Sequence, residues 1–187
     1  YKYQQEQINE LIVTRAKSSG HVVRLKGGDP FIFGRGAEEM EFAASFGIAT
    51  AMVPGISSSL AVPASQNIPV TKRGSAESFW VITGTTKEHK ISSDIKLAAK
   101  SNATVVVLMG MSKLPQIVKL FQAQGKNDLP VAIIQEGTTF KERIGIGTVD
   151  TIENIVHQKE LENPAIIVLG EVVKHRQVIL EIQEQYV

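Results

Sequence analysis

Apolar residues recur along the chain with two alternating spacings, one helical and one strand-like. Helical spacing is clearest in three stretches that each end near a glycine, a residue that commonly terminates a helix. These stretches are 8–16 before Gly20, 37–46 before Gly47 and 112–124 before Gly125, the last with Ser112 as a candidate N-cap. Shorter helices are predicted at 56–65, at 94–100 and from Asp150 through Lys159. Pro63 should kink or shorten the first of these, and Asp150 with Glu153 gives the third a start that resembles a capping box.

Runs of β-branched and other apolar residues predict seven strands. They are 22–25, 48–53, 79–83, 104–109, 131–134, 144–149 and 165–170. We expect the tail beyond Lys174 to extend the last strand or to pair with it as a hairpin. Strands that alternate with helices are typical of α/β proteins, and we expect parallel strands in at least the first half.

The polar, glycine-containing segment 69–78 is the best linker candidate in the chain. We therefore predict two domains, an N-terminal α/β domain at residues 1–73 and a C-terminal α/β domain at residues 74–187. A chain of 187 residues is long enough to bury a substantial core in this arrangement.

Composition narrows the possible functions. The net charge of +1 is too small to indicate nucleic acid or an anionic membrane as the main partner, and no apolar run approaches the roughly 20 residues of a membrane helix. The chain has no cysteine, which excludes disulfides and thiolate chemistry and is typical of a cytoplasmic protein. Its four histidines share no ligand spacing, so we predict no metal site. Because the chain starts at Tyr1, we expect it to be trimmed at its N-terminus.

The segment 25–35, which reads Leu-Lys-Gly-Gly-Asp-Pro-Phe-Ile-Phe-Gly-Arg, is the strongest candidate for a ligand-binding loop. Gly27 and Gly28 allow a ligand to approach the bare backbone, Asp29 supplies an acceptor, and Ile32 can supply an apolar wall. The glycine spacing matches neither the Rossmann nor the Walker phosphate motif. The alternative is an ordinary turn between a strand and a helix.

The run 22–36 resembles the signature of uroporphyrinogen-III C-methyltransferases, which are S-adenosylmethionine-dependent members of the tetrapyrrole methylase family. Weaker matches follow in the same order along the chain. They are Val53-Pro54-Gly55-Ile56, the run 69–74, Met109-Gly110, Gly137-Thr138-Thr139 and the run 164–170. The resemblance extends from about Gln4 to about Lys174.

This resemblance implies two α/β domains with the cofactor cleft between them, and a homodimer. The implied reaction adds two methyl groups to uroporphyrinogen III and gives precorrin-2, on the route to sirohaem or cobalamin. We expect the N-terminal domain to be incomplete, because the family's first strand and loop correspond to a segment before Tyr1. The family's acid–base residues lie in that same segment, so no catalytic residue is assigned.

The resemblance also implies the residues that contact the cofactor. These are Gly27, Gly28, Asp29, Ile32, Ser57, Ser58, Met109, Gly137 and Ala165. Ser57 keeps the hydroxyl of the family's threonine, whereas Ser58 replaces an alanine. Taken without the resemblance, Met109 would be more typical of a core residue and Gly137 of an ordinary turn.

A substrate with a carboxylate arm on every pyrrole ring requires cations, and arginine is favoured for forked carboxylate contacts. The predicted substrate residues are Arg35, Thr71 and Arg73, and Lys72 stands where the family usually has histidine. Two alternatives remain open. One is a methylase of a later corrin intermediate, although the sequence Arg-Leu-Lys-Gly-Gly-Asp-Pro at 24–30 favours the enzyme that acts on uroporphyrinogen III. The other is a nucleotide-binding α/β module without catalytic activity.

Overall fold

The structure is a computed structural model that describes residues 3–186. Packing separates the chain into two compact units, which divide between Ser57 and Ser58. The division into two domains at 1–73 and 74–187 stays a prediction. No helix among the described residues is long and apolar enough to cross a membrane.

The first unit contains two helices that pack against each other, α1 (Gln5–Ser19) and α2 (Gly36–Ser45). Val13 and Ala43 are buried in this unit. As predicted, α1 ends at Gly20. Its N–H still donates to the carbonyl of Ala16 at 2.9 Å, and its positive φ of 75° then turns the chain out of the helix.

The two strands predicted for this part of the chain, 22–25 and 48–53, are wrong. Residues 3–57 contain no strand, and both segments are irregular backbone. The side chains of Val23, Leu25 and Val53 are 75%, 83% and 82% exposed. A β-branched run favours extended backbone, but it becomes a strand only when a neighbouring strand pairs with its N–H and C=O groups.

In the second unit, residues 58–186 form a five-stranded sheet and five helices. The strands are β1 (Phe79–Thr83), β2 (Thr104–Leu108), β3 (Pro130–Gln135), β4 (Arg143–Thr148) and β5 (Ala165–Leu169). The helices are α3 (Ser58–Ser65), α4 (Asp94–Ala98), α5 (Leu114–Gln122), α6 (Ile152–Gln158) and α7 (Lys174–Glu184). Short 3₁₀ turns at Met111–Lys113 and Glu171–Val173 precede α5 and α7. The predicted α/β fold class is confirmed.

The strand order is β1-β2-β5-β3-β4, and within residues 3–186 β1 and β2 are the one pair that is parallel. The expectation of parallel strands in at least the first half holds for β1, which pairs in parallel with β2. The two earlier predicted strands do not form, and β5 lies antiparallel between β2 and β3. In this arrangement β1, β2 and β3 run in one direction while β4 and β5 run in the other. One end of the sheet thus collects the last residues of three strands and the first residues of two.

Alternate residues of each central strand contact opposite layers of helices. Val105 and Val107 face the layer that includes Ile117 and Phe121 of α5. Val106 and Leu108 face the opposite layer, which includes Val62 of α3. Each large apolar side chain that is fully buried in this way contributes about 1.5–3 kcal/mol to folding. The end of the sheet is therefore fixed between two packed layers.

Three local predictions in the second unit are also wrong. Ser112 is not the cap of α5, because it lies inside the 3₁₀ turn and the helix starts two residues later. Asp150 does not cap α6, because its carboxylate accepts a hydrogen bond from Gln122 Nε2 at 2.8 Å. The tail beyond Lys174 is not a strand but α7, in which Val178 and Ile182 recur at helical spacing.

Candidate functional site

The glycine-rich loop of the first unit is held by the carboxylate of Asp29. Asp29 Oδ1 accepts a hydrogen bond from the N–H of Phe31 at 2.8 Å, and Oδ2 accepts one from the N–H of Gly55 at 3.1 Å. The predicted acceptor is therefore bonded to the protein backbone itself. Each carboxylate oxygen keeps a further lone pair for a ligand.

Close backbone packing explains two glycines of this site. A Cβ on Gly55 would collide with the carbonyl oxygen of Gly28, and Gly28 has a positive φ of 78° that disfavours other residues. In contrast, a Cβ on Gly27 would meet nothing within 4 Å, so its backbone borders open space. The structure thus brings Gly28 close to the run that ends at Ser57, which is buried. The side chain of Ile32 is exposed on the same loop.

A buried carboxylate anchors the chain on both sides of this loop. Glu39 of α2 pairs with Lys26 at 2.8 Å and with Arg24 at 3.3 Å, and it also accepts a hydrogen bond from Gln5 of α1. Burial acts to raise the pKa of Glu39. The hydrogen bonds from Lys26 and Gln5, together with the charges of Arg24 and Lys26, outweigh burial and lower that pKa.

The predicted substrate residue Arg35, which directly precedes α2, already has a partner in the first turn of that helix. Its guanidinium pairs with the carboxylate of Glu38 at 2.5 Å, and this hydrogen bond raises the pKa of Arg35. Both side chains are about half exposed, so the pair is open to solvent. An arginine in such a pair can exchange its partner for a carboxylate of a ligand at small cost.

The second unit brings three predicted cofactor residues to the same end of the sheet. Met109 directly follows β2, Ala165 begins β5, and Gly137 lies two residues beyond β3. The register pairs Leu108 with Ile166 and Gln135 with Ala165, so these positions are neighbours across three strands. The side chain of Met109 is 51% exposed and its φ is +54°, which is unusual for a residue with a side chain.

Two glycines that follow neighbouring strands allow their backbones to touch at this end. A Cβ on Gly84, after β1, would collide with Cα of Gly110, after β2. The hydroxyl of Thr85 then donates to the carbonyl of Met109 at 3.0 Å. Neither Gly84 nor Thr85 is among the residues predicted from the sequence. The signal that could have identified them is the run of glycine and threonine that directly follows a predicted strand.

Gly137 is packed against the first helix of the same unit. A Cβ on Gly137 would lie 2.6 Å from Val62 Cγ2 of α3 and closer still to Cγ1. Ser58 begins α3, one turn before Val62, and is exposed. The loop that carries Gly137 and the helix that starts at Ser58 therefore touch directly.

The remaining predicted substrate residues, Thr71 and Arg73, are exposed in a separate loop that is closed by pairing of Lys72 with Ala76. Lys72 Nζ lies 2.9 Å from Nδ1 of His175 in α7. Burial and the charge of Lys72 lower the pKa of His175, although the charge of Glu171 acts in the opposite direction. This geometry favours a neutral imidazole that accepts from the ammonium group.

Comparisons with known proteins agree on one family. The model of the tetrapyrrole (corrin/porphyrin) methylases matches residues 2–153. The uroporphyrinogen-III C-methyltransferase of Methanocaldococcus jannaschii is 42% identical over 175 residues, which cover 92% of this chain and 72% of that protein. The sirohaem synthase of Methylobacillus flagellatus is 42% identical over 174 residues, and the chain spans only 37% of its length.

A solved structure gives the same result for the fold. The uroporphyrin-III C-methyltransferase of Thermus thermophilus, solved in complex with S-adenosylhomocysteine, superposes with a TM-score of 0.79 at 34% identity. The match covers 91% of this chain and 74% of that one. A family match over most of the chain, together with this superposition, leads to one conclusion: the chain belongs to the tetrapyrrole (corrin/porphyrin) methylase family.

Proposed function

We propose that this chain carries an S-adenosylmethionine-dependent C-methyltransferase activity that adds two methyl groups to uroporphyrinogen III and gives precorrin-2. The observation that carries this proposal is its similarity to the Methanocaldococcus jannaschii uroporphyrinogen-III C-methyltransferase, which extends over most of both chains. The similarity to a sirohaem synthase supports sirohaem as one end product of the pathway.

The predicted cofactor residues have the properties that S-adenosylmethionine requires. In the first unit, the backbone at Gly27 borders open space, and the exposed side chain of Ile32 can pack against an adenosine. In the second unit, Met109 and Ala165 offer an uncharged surface that does not repel a sulfonium. When bound, S-adenosylmethionine supplies a methyl group on a positively charged sulfur, and a ring carbon of the tetrapyrrole takes this group while the ring loses a proton.

The contribution that this chain can make to the reaction is mainly positioning. Proximity and orientation can lower a barrier by about 7–11 kcal/mol when two reactants are held in a reactive geometry. Two features support this contribution. In the first unit the glycine-rich loop is tethered by the hydrogen bond from Gly55 to Asp29, and in the second unit the sheet end is fixed by strand pairing. We assign no residue of the chain as a general acid or base.

We further propose that Arg35, Thr71 and Arg73 bind the carboxylate arms of the substrate. Arg73 is exposed, and Arg35 can exchange Glu38 for a substrate carboxylate. A cytoplasmic homodimer completes the proposal. The absence of cysteine supports the cytoplasm, and the family resemblance supports the dimer.

Thermal unfolding with added S-adenosylhomocysteine tests the cofactor part of the proposal. A ligand at about 100 times its dissociation constant adds about 2.7 kcal/mol to the stability of a protein that binds it only when folded. For a chain of this size we expect the midpoint to rise by roughly 5–10 °C. NAD and ATP serve as controls and should give no shift. A cooperatively folded sample that gains nothing from S-adenosylhomocysteine would contradict the proposal.

A further inference from the structure

The carboxylate of Glu142 connects the loop after β3 to the last turn of α3. Its Oε2 accepts a hydrogen bond from the N–H of Thr138 at 2.6 Å and lies 3.1 Å from the hydroxyl of Ser65. Its Oε1 accepts a hydrogen bond from the side-chain amide of Gln66. One acidic side chain thus collects three potential donors from two elements that are far apart in sequence.

The loop that Glu142 holds has an unusual backbone. Glu136 and Thr138 both have positive φ values, 46° and 66°, although neither is glycine. Such conformations persist when the surroundings enforce them, and they often occur at ligand sites. Between these two residues, Gly137 is pressed against Val62 of α3. The loop is therefore held by its contacts with α3 together with its own hydrogen bonds, such as the one from the N–H of Thr139 to the carbonyl of Glu136 at 3.2 Å.

Helix α3 lies between a predicted cofactor position and the residues that Glu142 contacts. Ser58, a predicted cofactor residue, lies at its start, whereas Ser65 and Gln66 lie at its end. Gln66 is further held by Arg176 of α7, whose Nε donates to Gln66 Oε1 at 3.3 Å. Glu142 therefore links the end of α3 to the loop that carries Gly137.

We propose that Glu142 is a positioning residue for the S-adenosyl ligand. It keeps loop 136–138 against α3 in the conformation that presents the Gly137 backbone at the sheet end. A carboxylate suits this role because it only accepts hydrogen bonds, and every group that faces it in this loop and in α3 can donate. This inference rests on the proposed function and deepens it, because it assigns a residue to cofactor affinity.

The test compares the wild-type chain with Glu142→Ala, Glu142→Gln and the control Glu153→Ala, which removes an exposed carboxylate of α6. Circular dichroism first establishes a temperature at which each protein is folded. Calorimetry then measures the affinity for S-adenosylhomocysteine, and kinetics measure KM for S-adenosylmethionine and for uroporphyrinogen III separately. The split between the two KM values distinguishes cofactor positioning from a general loss of structure.

We expect Glu142→Ala to weaken S-adenosylhomocysteine binding and to raise KM for S-adenosylmethionine by about tenfold, which corresponds to about 1.4 kcal/mol. KM for uroporphyrinogen III should change by less than about twofold, and Glu153→Ala should match the wild type. Glu142→Gln should lie between the two, because its oxygen can still bind Thr138 while its NH₂ group opposes the amide of Gln66.

A folded Glu142→Ala variant with wild-type affinity would overturn the inference, as would equal rises in both KM values. If Glu142→Ala does not fold, Glu142→Gln decides the question, and wild-type affinity in that variant overturns the inference. A wild-type chain that neither binds S-adenosylhomocysteine nor methylates uroporphyrinogen III overturns the proposed function itself. That outcome is seen before any variant is compared.

Discussion

The carboxylate of Asp29 accepts a hydrogen bond from the backbone N–H of Gly55, 26 residues further along the chain. Its second oxygen binds the N–H of Phe31, and the carbonyl of Gly28 packs directly against Gly55. These contacts join the glycine-rich loop to the segment that ends at Ser57. Asp29 therefore tethers the loop through two hydrogen bonds to the backbone.

Replacement of Asp29 by alanine should loosen this loop. Loss of two hydrogen bonds to a charged acceptor predicts a decrease of about 1–3 kcal/mol in the free energy of unfolding, with weaker S-adenosylhomocysteine binding. Asp29→Asn keeps one acceptor oxygen and should be affected less. Chemical denaturation and calorimetry measure both effects. Asp128→Ala, which removes an exposed aspartate, is the control, and an Asp29→Ala variant equal to it would refute the tether.

Gly137→Ala tests whether the loop after β3 is packed as tightly as its distances indicate. The added methyl would lie 2.6 Å from Val62 Cγ2, and such overpacking costs typically about 1–3 kcal/mol. The double variant Gly137→Ala with Val62→Ala restores space, so its cost should be less than the sum of the two single costs. Urea unfolding of all four proteins gives the coupling energy. Strict additivity would show that the two residues do not compete for space.

Glu39 should make stability depend on pH. Its pKa is lowered in the folded chain, so its contribution is fully present above the unfolded value of about 4.3 and is lost as the pH falls through the lower folded value. Glu39→Gln should therefore be less stable than the wild type at pH 7 by about 1–3 kcal/mol. This difference should shrink as the pH is lowered from about 5 to 3. Denaturation across this range measures it.

The matched control for this experiment is Glu41→Gln, which removes an exposed carboxylate of the same helix. It should follow the wild-type pH profile. A Glu39→Gln profile that stays parallel to the wild type down to pH 3 would show that the pairs with Lys26 and Arg24 do not lower the pKa of Glu39.

Thr104 is a place where the chain can be stabilised. It begins β2, is fully buried, and its hydroxyl has no hydrogen-bond partner among residues 3–186. Valine has nearly the same shape without the unpaired hydroxyl, so Thr104→Val should raise the free energy of unfolding by about 1 kcal/mol. Thr104→Ala is the comparison, and it should lower stability because it leaves a cavity. A loss of stability in Thr104→Val would mean that the hydroxyl is hydrogen-bonded.

The sequence predicted the second unit better than the first. The predicted runs 79–83 and 104–109 contain β1 and β2, because the sheet supplies a partner for each, so the local preference and the tertiary structure agree. The run 22–25 has the same β-branched character but no strand beside it within the described residues, and it is irregular. The local sequence pattern indicates the backbone conformation that a segment favours, whereas strand pairing depends on residues elsewhere in the chain.

The sequence also predicted only part of the candidate site. The motif order pointed to Met109, Gly137 and Ala165, and the register confirms that they lie at one end of the sheet. Their contacts with a cofactor stay a prediction. The tethering roles of Asp29 and Glu142 could not be read from the sequence, because each depends on hydrogen bonds to residues more than 20 positions away.

The most direct test of the proposed function is a methyl-transfer assay. The chain is incubated with S-adenosylmethionine and uroporphyrinogen III under anaerobic conditions, and the products are measured by mass spectrometry. We predict a tetrapyrrole that carries two added methyl groups, so that its mass rises by two CH₂ units because a proton is lost with each transfer, and the release of S-adenosylhomocysteine. A folded chain that binds S-adenosylhomocysteine yet leaves uroporphyrinogen III unmodified, or that methylates only a later corrin intermediate, would contradict this function.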